Sequence, residues 1–143
     1  MVPNILEAKN KLLQGGYTCV ALNDDGIYTS MDRGVKPLLD WISNKCDLTD
    51  AYVADKVVGK AAAFLYVLLK VKEVYAVVIS EPALITLEKH NIKVSYGQLV
   101  SAIRNRDNTG FCPMESSVWD IEDPNIAYET IVRTRNELIL KNN

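Results

Sequence analysis

A chain of 143 residues, 48% hydrophobic and 24% charged, can bury a single core as one domain, and this composition excludes a disordered or fibrous protein. Sixteen basic residues against 18 acidic ones leave a formal charge of −2, which excludes duplex DNA as the main partner because phosphate binding needs a broad basic field. The longest apolar run, residues 61–69, is about half the length of a membrane span, so no membrane is expected as a partner.

In chain order, residues 4–14 place Ile5, Ala8, Leu12 and Leu13 at helical spacing, with Asn4 to cap and Gly15-Gly16 to terminate. This stretch carries Glu7 and has no apolar signal region, so the expected location is the cytoplasm. YTCVALNDDGIYTS then reads as an antiparallel hairpin, with the Asp25-Gly26 step expected to supply the positive φ of a tight turn. After Gly34 a helix is expected from Val35, Leu38, Leu39 and Ile42 on one face, Pro37 being tolerated in its first turn. Residues 47–50 form a loop. Strands at 51–58, 74–79 and 92–96 then alternate with helices at 60–71 and 81–90, and Ser80 and Pro82 mark the start of the second of these. Strands such as VYAVVI are apolar on both faces, which implies parallel pairing beneath helices. Asp123-Pro124 opens a last helix at 125–141, so the whole chain, 1–143, reads as one α/β domain with a core at about 4–121.

Three cysteines, Cys19, Cys46 and Cys112, are too few and too scattered for a disulfide framework in a reducing compartment. His90 is the only histidine, and neither C-x-x-C nor H-x-E occurs, so no metal and no other cofactor is expected. His90 itself ends a helix, where a cation complements terminal carbonyls.

In an α/β sheet, ligands collect beyond the carboxyl ends of the strands, where helix starts present free amides. Three segments should converge there. TSMDRGVKPLL sets Ser30, Arg33, Gly34 and Lys36 around a helix start and suits an anion; alternatively Ser30 or Asp32 is a cap and the bases are solvated. ADKVVGKAAA interrupts a buried strand with Asp55 and Lys56, charges that need a partner or a guest, and opens a helix with Gly59 and Lys60. It is not a Walker A loop, and an internal ion pair of Asp55 with a lysine is the bland alternative. Ser80 contributes the third start. RNRDNTGFCPMESS adds Arg104 and Arg106 for a negative group, and Pro113 leaves Cys112 at a helix cap that favours a thiolate nucleophile, with Glu115 nearby as a proton carrier and Asp55 as a further catalytic candidate; burial as an inert thiol is the alternative.

TSMDRGVKPLL, ADKVVGKAAAFLYVLL, VYAVVISEPALITLEKH and FCPME together resemble a family of small, mainly bacterial proteins of uncharacterised function with a cytidine-deaminase-like fold. The resemblance implies a three-layer α/β/α sandwich around a mixed sheet that begins with an antiparallel hairpin. In working zinc deaminases, H-x-E or C-x-E opens the helix after the hairpin and P-C-x-x-C opens the next one. Here the two places hold Arg33-Gly34-Val35 and Val58-Gly59-Lys60, with no metal ligand, so zinc-dependent deamination is not expected.

Three readings stay open. The first is a metal-free domain that binds a small anion, for instance a nucleotide, in a basic pocket. The second is an enzyme that uses Cys112 as nucleophile or redox thiol, and the third is a non-catalytic homodimer built on apolar helix faces.

Overall fold

The structure, a computed structural model, describes residues 3–105 and 107–141. Its elements run α1 (Ile5–Gly15), β1 (Cys19–Asn23), β2 (Gly26–Ser30), α2 (Lys36–Ser43), β3 (Tyr52–Val58), α3 (Lys60–Leu69), β4 (Glu73–Ser80), α4 (Glu81–Lys89), β5 (Lys93–Val100), α5 (Pro113–Ser117) and α6 (Pro124–Lys141). The five strands form one open mixed sheet in the order β2-β1-β3-β4-β5. The hairpin strands are antiparallel, β1 also meets β3 antiparallel, and β3, β4 and β5 are parallel.

Local chemistry explains most boundaries. The Asn4 carboxamide accepts from the Glu7 amide at 2.9 Å and starts α1, which Gly16 ends in the left-handed region at φ 73°. Ser80 caps α4 by accepting from the Ala83 amide at 3.2 Å. The hairpin turn falls at residues 23–26 as expected, but neither Asp25 nor Gly26 has the expected positive φ. Asn23 accepts from the amides of Asp25 at 2.9 Å and Gly26 at 3.2 Å, so the two turn residues are Asp24 and Asp25, and Gly26 already belongs to β2. α2 also starts differently from the Ser30 or Asp32 alternative. Its N-cap is Val35, with no side-chain cap bond, because the chain first passes Gly34 in the left-handed region at φ 68°.

Alternation along the strands divides the core in two. Val20, Leu22, Ala54 and Tyr75 meet Ala8 and Leu12 of α1, whereas Cys19, Ala21, Val53, Val74 and Ala76 belong to the larger cluster with α2, α3 and α4. In α3 every residue from Lys60 through Tyr66 is buried, and the three alanines bring its backbone close to its neighbours.

One irregularity positions the site. The alternation of β3 slips at Lys56 and Val57, both exposed, before Val58 returns to the core. The ladder registers pass over Lys56 and Val77 between β3 and β4, and over Val77 and Gly97 between β4 and β5. A Cβ on Gly97 would stand 3.0 Å from the Val77 carbonyl oxygen, so glycine permits the close approach. The slip leaves both Asp55 and Val58 on the side of α3.

Candidate functional site

The start of α3 is built around a carboxylate from far along the chain. Gly59 is the N-cap in extended conformation, and the Lys60 amide donates to Glu115 Oε2 at 2.6 Å. The same oxygen accepts from Ser80 Oγ at 2.5 Å, and Oε1 accepts from the Ile103 amide at 2.7 Å. Glu115 is only 2% exposed, and three donors together with two helix starts compensate its burial. Gly59 makes room for it: a Cβ there would lie 3.1 Å from Glu115 Oε2 and 3.1 Å from Ile103 Cγ1. The Lys60 amide and the Ser80 hydroxyl, where an outside anion was expected, are thus engaged by an internal carboxylate.

Lys60 is buried too. Its Nζ donates to the Trp119 carbonyl at 2.6 Å and lies 4.0 Å from Glu122 Oε1, while the ammonium sits 5.6 Å from the Phe64 ring centroid. The lysine therefore ties the chain after α5 to α3. Lys60→Met keeps the stem and loses the donor, and should cost about 1–2 kcal/mol in urea denaturation. A loss below about 0.5 kcal/mol would deny that the bond matters.

Beneath this start lies a second polar group. The Tyr66 hydroxyl donates to Asp55 Oδ2 at 2.6 Å, and Cys19 Sγ is 3.2 Å from the same hydroxyl oxygen. Since the phenolic proton is given to Asp55, the thiol is the donor in the second contact. Burial pushes the Asp55 carboxyl up to about 7, against the lowering pull of Tyr66 and of the Val57 and Lys56 amides. Burial, with the neighbouring Asp55, also raises the Cys19 thiol and the Tyr66 phenol well above their ordinary values, so both stay protonated. The expected alternative of an Asp55 to lysine pair is not what the structure brings together: Asp55 is bonded to Tyr66, and Lys56 is exposed.

The other singled-out residues fall into separate places. Gly59, Lys60 and Ser80 meet through Glu115, but no hydrogen bond or ion pair among the described residues joins them to Arg33, Gly34 or Lys36. Lys36 Nζ instead bridges Asp40 at 2.8 Å and Asp32 at 3.2 Å, which raise its pKa. Ser30 Oγ accepts from the Asp32 amide at 3.0 Å, and Arg33 is exposed with no such partner among the described residues. Arg104 donates to Asn108 Oδ1 at 3.0 Å and lies over Phe111, whereas Arg106 lies outside the described residues. Cys112 is the N-cap of α5, half-buried, without a side-chain cap bond. Glu115, one turn on, already accepts three hydrogen bonds.

Neither helix start fits the zinc of the deaminases, since Arg33-Gly34-Val35 and Val58-Gly59-Lys60 carry no metal-binding side chain, and no group of three His, Cys, Asp or Glu among the described residues could hold an ion. Nor is any helix of the described residues long and apolar enough to cross a membrane.

Residues 7–134 match a family profile described as TM1506, domain of unknown function (DUF1893). The chain belongs to the DUF1893 family. A solved structure of a DUF1893 family protein from Thermotoga maritima is 28% identical, with a TM-score of 0.80 over 96% of this chain and 92% of that one. No curated protein matches the sequence. The DUF1893 span takes in both polar groups, from Cys19 to Glu115, together with most of α6.

Sequence reasoning missed Tyr66, Cys19, Ile103 and Trp119 as members of the site. A tyrosine inside the apolar run of α3 was the one available signal, because a buried hydroxyl needs a partner. Ile103 and Trp119 act through backbone groups, which leave no mark in the side-chain pattern.

Proposed function

We propose that this DUF1893 chain is a non-catalytic, cytoplasmic binding domain on a metal-free, deaminase-like three-layer scaffold, and that it takes a small phosphate- or carboxylate-bearing guest, such as a nucleotide, at the start of α2. The observation that supports this reading is a contrast between helix starts. Those of α3 and α4 are satisfied from within, by Glu115 and Ser80, whereas α2 begins at Val35 without a side-chain cap, behind Gly34 and beside exposed Arg33. The guest would bond to the Lys36 amide, since Pro37 has no N–H to give, and to the Arg33 guanidinium, which can grip two oxygens at once. Lys36 contributes less, because Asp32 and Asp40 hold its charge. Lys60 contributes nothing directly, being bound to the Trp119 carbonyl.

Thermal melts with nucleotides, sugar phosphates and dicarboxylates test this. A ligand at a hundred times its Kd adds about 2.7 kcal/mol, a rise of several degrees. The gain should vanish in Arg33→Ala and persist in Lys56→Ala. If no compound raises the melting point at millimolar concentration, or if Arg33→Ala binds as well as the parent, the proposal is withdrawn.

A further inference from the structure

The last helix is longer than its packing requires. Its buried residues, Ala127 and Ile131, lie in the first half, where it meets α3 and α5. Past Ile131 it continues to Lys141 with Ile139 42% and Leu140 75% exposed. A helical stretch of this length is marginal in water unless an apolar face is covered. A shallow groove runs along it, lined by Tyr128, Val132 and Leu140 between charged residues, and a neighbouring one by Thr134, Leu138 and Leu140.

The charges beside these grooves indicate what covers them. Glu129, Arg133, Glu137 and Lys141 are all exposed, recur every fourth residue and so form one ridge of alternating sign. None is in an ion pair among the described residues. A row that reads minus, plus, minus, plus becomes its own complement when reversed. If a second α6 lies antiparallel with the two-fold axis at Arg135, Glu129 faces the partner's Lys141 and Arg133 faces the partner's Glu137, each pair occurring twice. Val132 and Leu140 of the first groove lie beside this same ridge, so the apolar and charged faces coincide.

We propose that the second half of α6 is a docking surface for another copy of this chain, paired antiparallel through that register. The inference is independent of the anion site at α2. One helix pair buries less than the roughly 800 Å² per partner of a standard interface, so the dimer dissociates on dilution. Apolar contact supplies most of its affinity, and the ridge sets its direction.

Sedimentation equilibrium from roughly micromolar to millimolar chain concentration tests the proposal. The parent should pass from one chain to two. Leu140→Asp should stay a monomer, Arg133→Glu should weaken the dimer at least about tenfold, and adding Glu137→Arg to it should restore most of the loss. All three positions are exposed or half-buried, and circular dichroism melts verify that the variants fold. A parent that is monomeric throughout, a dimer unaffected by Leu140→Asp, or a double variant no better than Arg133→Glu would each overturn it.

Discussion

Replacing Glu115 by alanine is expected to lower the unfolding free energy by about 4 kcal/mol, against the 5–15 kcal/mol available to a domain of this kind. The change leaves the Lys60 amide, Ser80 Oγ and the Ile103 amide without their acceptor. Hydrogen bonds to a charged group contribute about 1.5–3 kcal/mol each; water entering the gap and the shared geometry of the three make the total less than their sum. Glu115→Gln keeps the volume but turns an amide group toward at least one donor, so it should fall between alanine and the parent. Denaturant midpoints measured with the slope unchanged decide the matter. An alanine variant within about 1 kcal/mol of the parent would mean that Glu115 is not the tie between the two helix starts.

Raising the pH from about 5 to about 8 is expected to destabilise the chain through Asp55. An unfolded aspartate titrates near 3.9, whereas burial pushes this one up to about 7. Between those values the unfolded chain has released a proton that the folded chain retains, so unfolding becomes easier as pH rises. The contribution is complete below about pH 4 and lost once pH passes about 7, roughly 4 kcal/mol across the whole window. Asp55→Asn removes the titration while leaving an oxygen for the Tyr66 hydroxyl. Its stability relative to the parent should therefore rise by roughly 2–3 kcal/mol between pH 5 and 8. If the difference between variant and parent is flat across that range, Asp55 does not titrate as the buried geometry requires.

Most of the secondary structure was legible because it rests on local rules. Asn4, Ser80 and Pro124 sit where caps and first-turn prolines belong, and the strand-helix alternation after residue 51 led to the parallel half of the sheet. The misreadings have local causes as well. The Asn23 carboxamide shapes the hairpin turn without the positive φ expected of the Asp25-Gly26 step, and Asp55 and Lys56 read alike as charges in a buried strand because the sequence does not reveal a strand that slips phase. The candidate site was harder to read. Gly59, Lys60, Ser80 and Glu115 all attracted attention, but as parts of an open anion pocket and a thiol centre. That Glu115 closes on the other three depends on a contact spanning 55 residues, which no local pattern encodes.

The reach of that contact bears on how the protein is made. A nascent chain that has emerged only as far as Val100 contains all five strands, and both Lys60 and Ser80 at the starts of α3 and α4, but not the Glu115 to which they donate. Its sheet can pair while the Lys60 amide and the Ser80 hydroxyl still lack their acceptor. Translation must extend beyond the last strand before the first hundred residues acquire their full resistance to unfolding, and the segment that completes them is the irregular one after β5.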